Sequence, residues 1–320
     1  MKKLMDLFDT LNKKYFSSDK QLTRIVILTG IVLVLAVGSF AGYYWYDRYY
    51  RPQPKSVEIT LSQAEKAVQD NPQDVKARIT LAEAYMQNRR WNDAITQANQ
   101  VLTVQPDNQH AWLVLGVSYA NLNQPNNAID PLKRFVDARK DEDMAGLDSQ
   151  LQAAAYYLGD SYLQIGQPQD AVTPLELDVQ WSKSDADAMY KLGMAYAGTK
   201  QYEKAVGMFQ EASTFVPDFK EAYQAMAAAY QNLGKPEMVD YANGMVAFST
   251  KDYVNALTLL QKAAQQRSDF APIFAGLGRV YEAQNDLQNA KSAYQTALKI
   301  DSNNFTAVNG LERVNNLLNK

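Results

Sequence analysis

Three consecutive acids, Asp141-Glu142-Asp143, and a single histidine, His110, are the side chains with the clearest chemical reach in this sequence. Carboxylates bind cations, but this run lacks the alternating spacing with which a loop wraps an ion, and it reads as a solvated charge cluster. One histidine cannot build a histidine-based metal centre. No Ser and Asp accompany His110 in a catalytic pattern, so it is expected at the start of a helix as a surface or capping residue. The chain has no cysteine, which removes disulfides, thiolate zinc sites and a cysteine nucleophile. No glycine-rich phosphate loop follows a predicted strand. The sequence therefore reads as non-enzymatic, with no cofactor and no metal, and its function must lie in surfaces.

The elements that shape those surfaces begin with a long apolar run. Residues 25–46, "IVILTGIVLVLAVGSFAGYYWY", pass without a charge. As a helix they would measure about 33 Å, enough for a hydrocarbon core of roughly 30 Å. Signal-peptide apolar regions are shorter, about 7–15 residues, although Ser39-Phe40-Ala41 loosely resembles a cleavage site. Against cleavage, the run continues into Tyr43, Tyr44, Trp45, Tyr46, Tyr49 and Tyr50, rings suited to anchoring at the membrane interface. The expectation is a single retained transmembrane helix.

Six bases precede the span and three follow it closely, which predicts a cytoplasmic N-terminus and an extracytoplasmic body at the inner or plasma membrane. Residues 1–24 form an arm in which Leu4, Leu7, Phe8, Leu11 and Tyr15 recur at helical spacing. That is an amphipathic helix for the membrane surface, or else for a cytoplasmic partner. Residues 47–55 are a linker stiffened by Pro52 and Pro54. The formal charge of −3 conceals +5 on residues 1–55 and −8 on the rest. An acidic body has no electrostatic reason to bind nucleic acid.

Residues 56–320 are repetitive. The segments beginning at Ala111, Ala155 and Ala188 each carry Leu-Gly, a Tyr three residues after the Gly, and an Ala nine residues further on. Aligning on that Ala gives Ala94, Ala128, Ala171, Ala205, Ala256 and Ala290, at intervals of 34, 43, 34, 51 and 34. Small residues recur at Ala82, Gly116, Gly159, Gly193, Ala227 and Gly278, and tyrosines at 85, 119, 162, 196, 230 and 281. The interval of 43 marks an insertion around "RKDEDMAGLD". The interval of 51 adds about one helix, so residues 237–248 are either a helix shared by two units or a degenerate repeat.

These residues resemble the tetratricopeptide repeat (TPR) family, whose unit is a helix–turn–helix of about 34 residues. The resemblance implies an all-α superhelical solenoid of about six to seven repeats, right-handed, after a single transmembrane helix. A lone second helix, "TLSQAEKAVQDNP", would open the array, and "NFTAVNGLERVNNLLNK" would cap its far end. The resemblance also implies a concave groove lined by the first helices. The family's ligand-contacting positions map onto Ile79, Glu83, Leu113, Val117, Tyr156, Asp160, Tyr190, Met194, Gln224, Ala228, Ala275 and Arg279. The Lys and Asn clamp used by relatives that grip acidic C-termini is missing at these positions. Leu113, Val117, Tyr156, Leu163, Tyr190 and Met194 instead offer apolar, adaptable area for a hydrophobic peptide or an amphipathic helix. The same side chains would alternatively be covered by the insertion, by a neighbouring turn of the solenoid, or by self-association. The resulting expectation is a membrane-anchored scaffold in protein export or envelope-complex assembly. An organelle import receptor with cytosol-facing repeats and a self-assembling structural subunit are the other two readings.

Overall fold

The computed structural model describes residues 56–319. The arm, the apolar span with its aromatic flank, and the linker lie outside the described residues. Among the described residues, no helix is long and apolar enough to cross a membrane.

Fifteen α-helices, one turn of 3-10 helix and no strand make up the described chain. They are α1 (Ser56–Asp70), α2 (Val75–Gln87), α3 (Trp91–Val104), α4 (Gln109–Asn121) and α5 (Pro125–Arg139). Then follow α6 (Ser149–Gln164), α7 (Pro168–Trp181), α8 (Ala186–Gly198), α9 (Tyr202–Phe215) and α10 (Lys220–Asn232). The array closes with α11 (Pro236–Ser249), α12 (Tyr253–Gln266), α13 (Ala271–Ala283), α14 (Leu287–Ile300) and α15 (Phe305–Leu318). Thr60–Lys320 is one compact unit.

Asx caps that satisfy otherwise unpaired N–H groups open five of the first helices, and Asp252 and Asp286 do the same for the second helices α12 and α14. Asp74 accepts from Lys76 and Ala77, Asn108 from Ala111, Asp148 from Gln150 and Leu151, Asp185 from Asp187 and Ala188, and Asn304 from Ala307. Second helices α5, α7 and α11 begin with a proline, where the missing N–H has no intrahelical partner to lose. His110 is exposed beside Glu83, its Nδ1 3.0 Å from the carboxylate. The cap there is Asn108, so His110 is a surface residue and not a cap.

The repeated small residues set how closely paired helices approach. An added Cβ at Gly193 would lie 2.5 Å from Phe209 Cε1, and one at Gly278 would lie 2.5 Å from Tyr294 Cδ1. Gly116 faces Leu132, Gly159 faces Leu175 and Gly244 faces Leu260 in the same way. Each partner is sixteen residues beyond its glycine, so one packing solution recurs. Four of the tyrosines then tie a first helix to the preceding second helix. Tyr85 donates to Glu65 at 3.0 Å and Tyr196 to Glu176 at 2.6 Å, while Gln210 donates to Tyr230 at 2.9 Å and Gln261 to Tyr281 at 3.1 Å. All four pairs are twenty residues apart. Glu65 on α1 occupies this position, and Ala64 is buried with Ala82 and Ala94, so α1 packs as a second helix, with no first helix before it among the described residues.

The interval of 51 is resolved as a shared helix. Turns from first to second helices pass through one left-handed residue: Arg89, Asn123, Gly166, Lys200, Gly234, Lys251 and Asn285, with φ between 56° and 75°. Two of these, Gly234 and Lys251, flank α11 on either side. Thus α11 packs on α10 as a second helix and on α12 as a first helix, using Gly244 in the second role.

First helices touch their counterparts in adjacent units: α2 with α4, α4 with α6, α6 with α8, α8 with α10, α11 with α13 and α13 with α15. Second helices make no comparable contact with each other. In a bent stack the inner row is the crowded one, so the first helices form the inner face. The insertion between α5 and α6 folds as a 3-10 turn at Ala145–Leu147. Arg139 and Asp148 pair across it at 3.0 Å, and Gln152 donates to the Gly146 carbonyl at 2.7 Å.

Candidate functional site

The inner face carries the expected side chains on successive first helices, in different states. Leu113 on α4 is 3% exposed and shares a core cluster with Leu132, Leu151 and the insertion's Ala145. It supports the wall from behind and is not available to a ligand there. Val117 is half-buried. Tyr156 on α6 is half-buried and packs edge-on to Tyr157, ring centroids 5.6 Å apart. Leu163 packs against the core. On α8, Tyr190 lies between Phe209 and Phe219, at 5.9 and 5.1 Å, while Met194 is 39% exposed. Gln224 on α10 is exposed. Asp160 is already engaged: Lys191 Nζ is 2.5 Å away, and Gln164 donates to its other oxygen at 2.7 Å.

Two cavities open along this arrangement. The first, of about 400 Å³, lies between α6, the end of α7 and the start of α8. Tyr156 and Tyr157 line one side, and Asp178, Asp185 and Asp187 line the other, with no basic residue in its wall. Asp178 is 2% exposed, and its Oδ2 has no hydrogen-bond partner. Burial, and then the like charge of Asp185, push its carboxyl up to about 7. The Tyr156 phenol is also pushed up, by burial first and then by Asp160, Asp187 and Asp185.

Sequence reasoning missed Asp178, although a signal was present. Seven residues after each aligned alanine stand Val101, Phe135, Asp178, Ala212, Ala263 and Ala297. The five apolar members are fully enclosed core residues. One unit alone places a carboxylate in that core position.

The second cavity, of about 260 Å³, forms where α11 is shared. Tyr223, Tyr241, Phe270 and Arg279 line it. The guanidinium donates to the Pro217 carbonyl at 2.8 Å, pairs with Asp218, and lies 4.4 Å over the Phe248 ring.

A bent double row of paired helices, with an inner face of exposed and half-buried side chains, defines a helical-repeat scaffold for protein–protein interaction. The chain belongs to the tetratricopeptide repeat family: models described by that name match residues 79–143, 187–218 and 247–313, together about half of its length. Among curated relatives, a peroxisomal targeting signal receptor of Komagataella phaffii is 26% identical over 211 residues, 61% of this chain and 36% of the receptor. A heat shock protein sti1 homolog of Schizosaccharomyces pombe is 33% identical over 98 residues, 30% of this chain and 16% of that protein. The chain therefore spans well under half the length of these relatives. Among solved structures, YrrB, described as a TPR protein with an unusual peptide-binding site, aligns with a TM-score of 0.53 at 18% identity, covering 62% of this chain and 97% of that one. That likeness is one of fold.

Proposed function

We propose that this protein is a membrane-anchored TPR scaffold that binds a protein partner through the inner face of its solenoid. The partner segment is a hydrophobic peptide or an amphipathic helix. The observation that carries this reading is the run of Tyr156, Tyr190, Met194 and Gln224 along successive first helices, with Met194 open to solvent. The anchor rests on the uncharged run at residues 25–46 and its aromatic flank. The charge difference across that run favours one pass with the N-terminus cytoplasmic and the repeats extracytoplasmic, in the cell's inner or plasma membrane. In that setting the scaffold serves protein export or the assembly of an envelope complex.

The test is photo-crosslinking from position 224 in intact cells, comparing the native groove with Tyr156→Ala combined with Met194→Asp. Both positions have solvent access, so the variant is expected to fold. Partner capture should fall at least tenfold, and undiminished capture would remove the groove from the account. A second reading is favoured by the relatives named peroxisomal targeting signal receptors: an import receptor with its repeats facing the cytosol. Protease treatment of sealed vesicles with the cytoplasmic face outward separates the two: extracytoplasmic repeats are protected and cytosol-facing repeats are cut.

A further inference from the structure

We propose that the cavity between α6, α7 and α8 is a socket for one cationic side chain, lysine or arginine, of the bound partner segment. The inference deepens the groove reading and rests on it for the origin of the ligand. Three independent observations converge.

Asp178 is a carboxylate in a repeat position whose five counterparts are Val101, Phe135, Ala212, Ala263 and Ala297. Burying a charge without a partner is costly, and nothing in the fold compensates here. Two half-buried acids differ. Asp148 has Arg139 at 3.0 Å and Asp160 has Lys191 at 2.5 Å, whereas Asp178 has neither an ion pair nor a hydrogen bond on Oδ2. A cationic donor reaching in from a bound segment would satisfy it.

The cavity wall has matching character. Asp185 and Asp187 add negative charge at its rim, and the Tyr156–Tyr157 pair offers ring surface on the opposite side. Carboxylate opposite aromatic is the environment that holds an ammonium or guanidinium on an apolar stem. The acids are not grouped as a metal would require: no cluster of three or more such ligands exists among the described residues. A volume of about 400 Å³ also suits a side chain better than a bare ion.

Location supplies the third argument. Tyr156 belongs both to this cavity and to the inner face. A peptide lying across α6 and α8 therefore passes the socket's mouth, where its apolar residues meet Met194 and a basic residue reaches in.

The test uses the full chain in mild detergent and three capped amino acids at pH 8: N-acetyl-lysine methylamide, N-acetyl-arginine methylamide and the uncharged N-acetyl-norleucine methylamide. Thermal shift and calorimetric titration should register the two cationic probes and not norleucine. Asp178→Asn should abolish the response while melting no lower than the parent, so lost binding is not confused with lost folding. Equal responses to all three probes, or an undiminished response in Asp178→Asn, would overturn the socket. If the probes bind as expected while Tyr156→Ala with Met194→Asp still captures its partner, the groove reading fails and the cationic site stands.

Discussion

The two cavities of the inner face are built from the same kinds of residue and end in opposite states. At the shared helix, Arg279 has already found its partners within the fold, in a carbonyl, a carboxylate and a ring. Beside α7, Asp178 has found none. The cavity at α11 is closed within the molecule: Arg279 holds α13 to the α9–α10 turn. The cavity beside α7 leaves a group unsatisfied at an opening to solvent. A TPR array can thus use similar hollows either as joints or as sites, and the partners of the charged group distinguish them.

That contrast predicts an ordered series of effects. The largest belongs to the joint. Tyr241 is buried between Tyr223 and Phe270, at centroid distances of 6.5 and 5.5 Å. Truncating a buried ring costs about 3–5 kcal/mol, so Tyr241→Ala should lower the unfolding free energy measured by denaturant titration by that amount. A loss under about 1 kcal/mol would show that the junction is loosely packed.

Next comes the frame between the two cavities. Gly193→Leu forces a branched side chain into Phe209, and overpacking of this kind costs about 1–3 kcal/mol. Thermal unfolding of the variant checks it, with an unchanged midpoint as the contrary outcome.

The third effect is a gain. Asp178, with a pKa near 7 in the fold against about 3.9 unfolded, keeps its proton in the native state where the unfolded chain has released it. Stability therefore falls as pH rises from about 4 to about 7, and the full cost stands above that. The like charge nearby, Asp185, adds to this cost and does not relieve it. Asp178→Asn should stabilise by on the order of 1–3 kcal/mol at pH 8 and by little at pH 4. A loss of stability at pH 8 would mean that the carboxylate already has a partner.

Much of the fold was legible because close helix contact demands fixed spacing. The Gly-to-Tyr and Tyr-to-Ala intervals are packing constraints written into the chain, and the structure places each where two helices meet. The shared helix was half legible. Gly244 stands twelve residues before Ala256, as Gly193 does before Ala205, but Val239 occupies the corresponding place after Ala227. An alignment keyed on alanine therefore hides one of the two units that use α11.

The inner face was less legible. Leu113 occupies a ligand-contacting position by register, yet the insertion contributes Ala145 to the cluster that encloses it, and register alone does not report what an insertion covers. Asp178 and Tyr156 are 22 residues apart on different helices, and only pairing of α6 with α7 brings them to one cavity. The clue to Asp178 lay in reading the repeat against itself at a core position, where five units agree and one does not.

The double use of α11 bears on how the molecule comes apart. Where every unit owns its two helices, a stack can fray from an end one unit at a time. A helix with two owners forbids that step: releasing it strips the wall of α10 and of α12 at once. The array behaves as two short zippers sewn together by a single tooth, and the stitch should be the last thing to give.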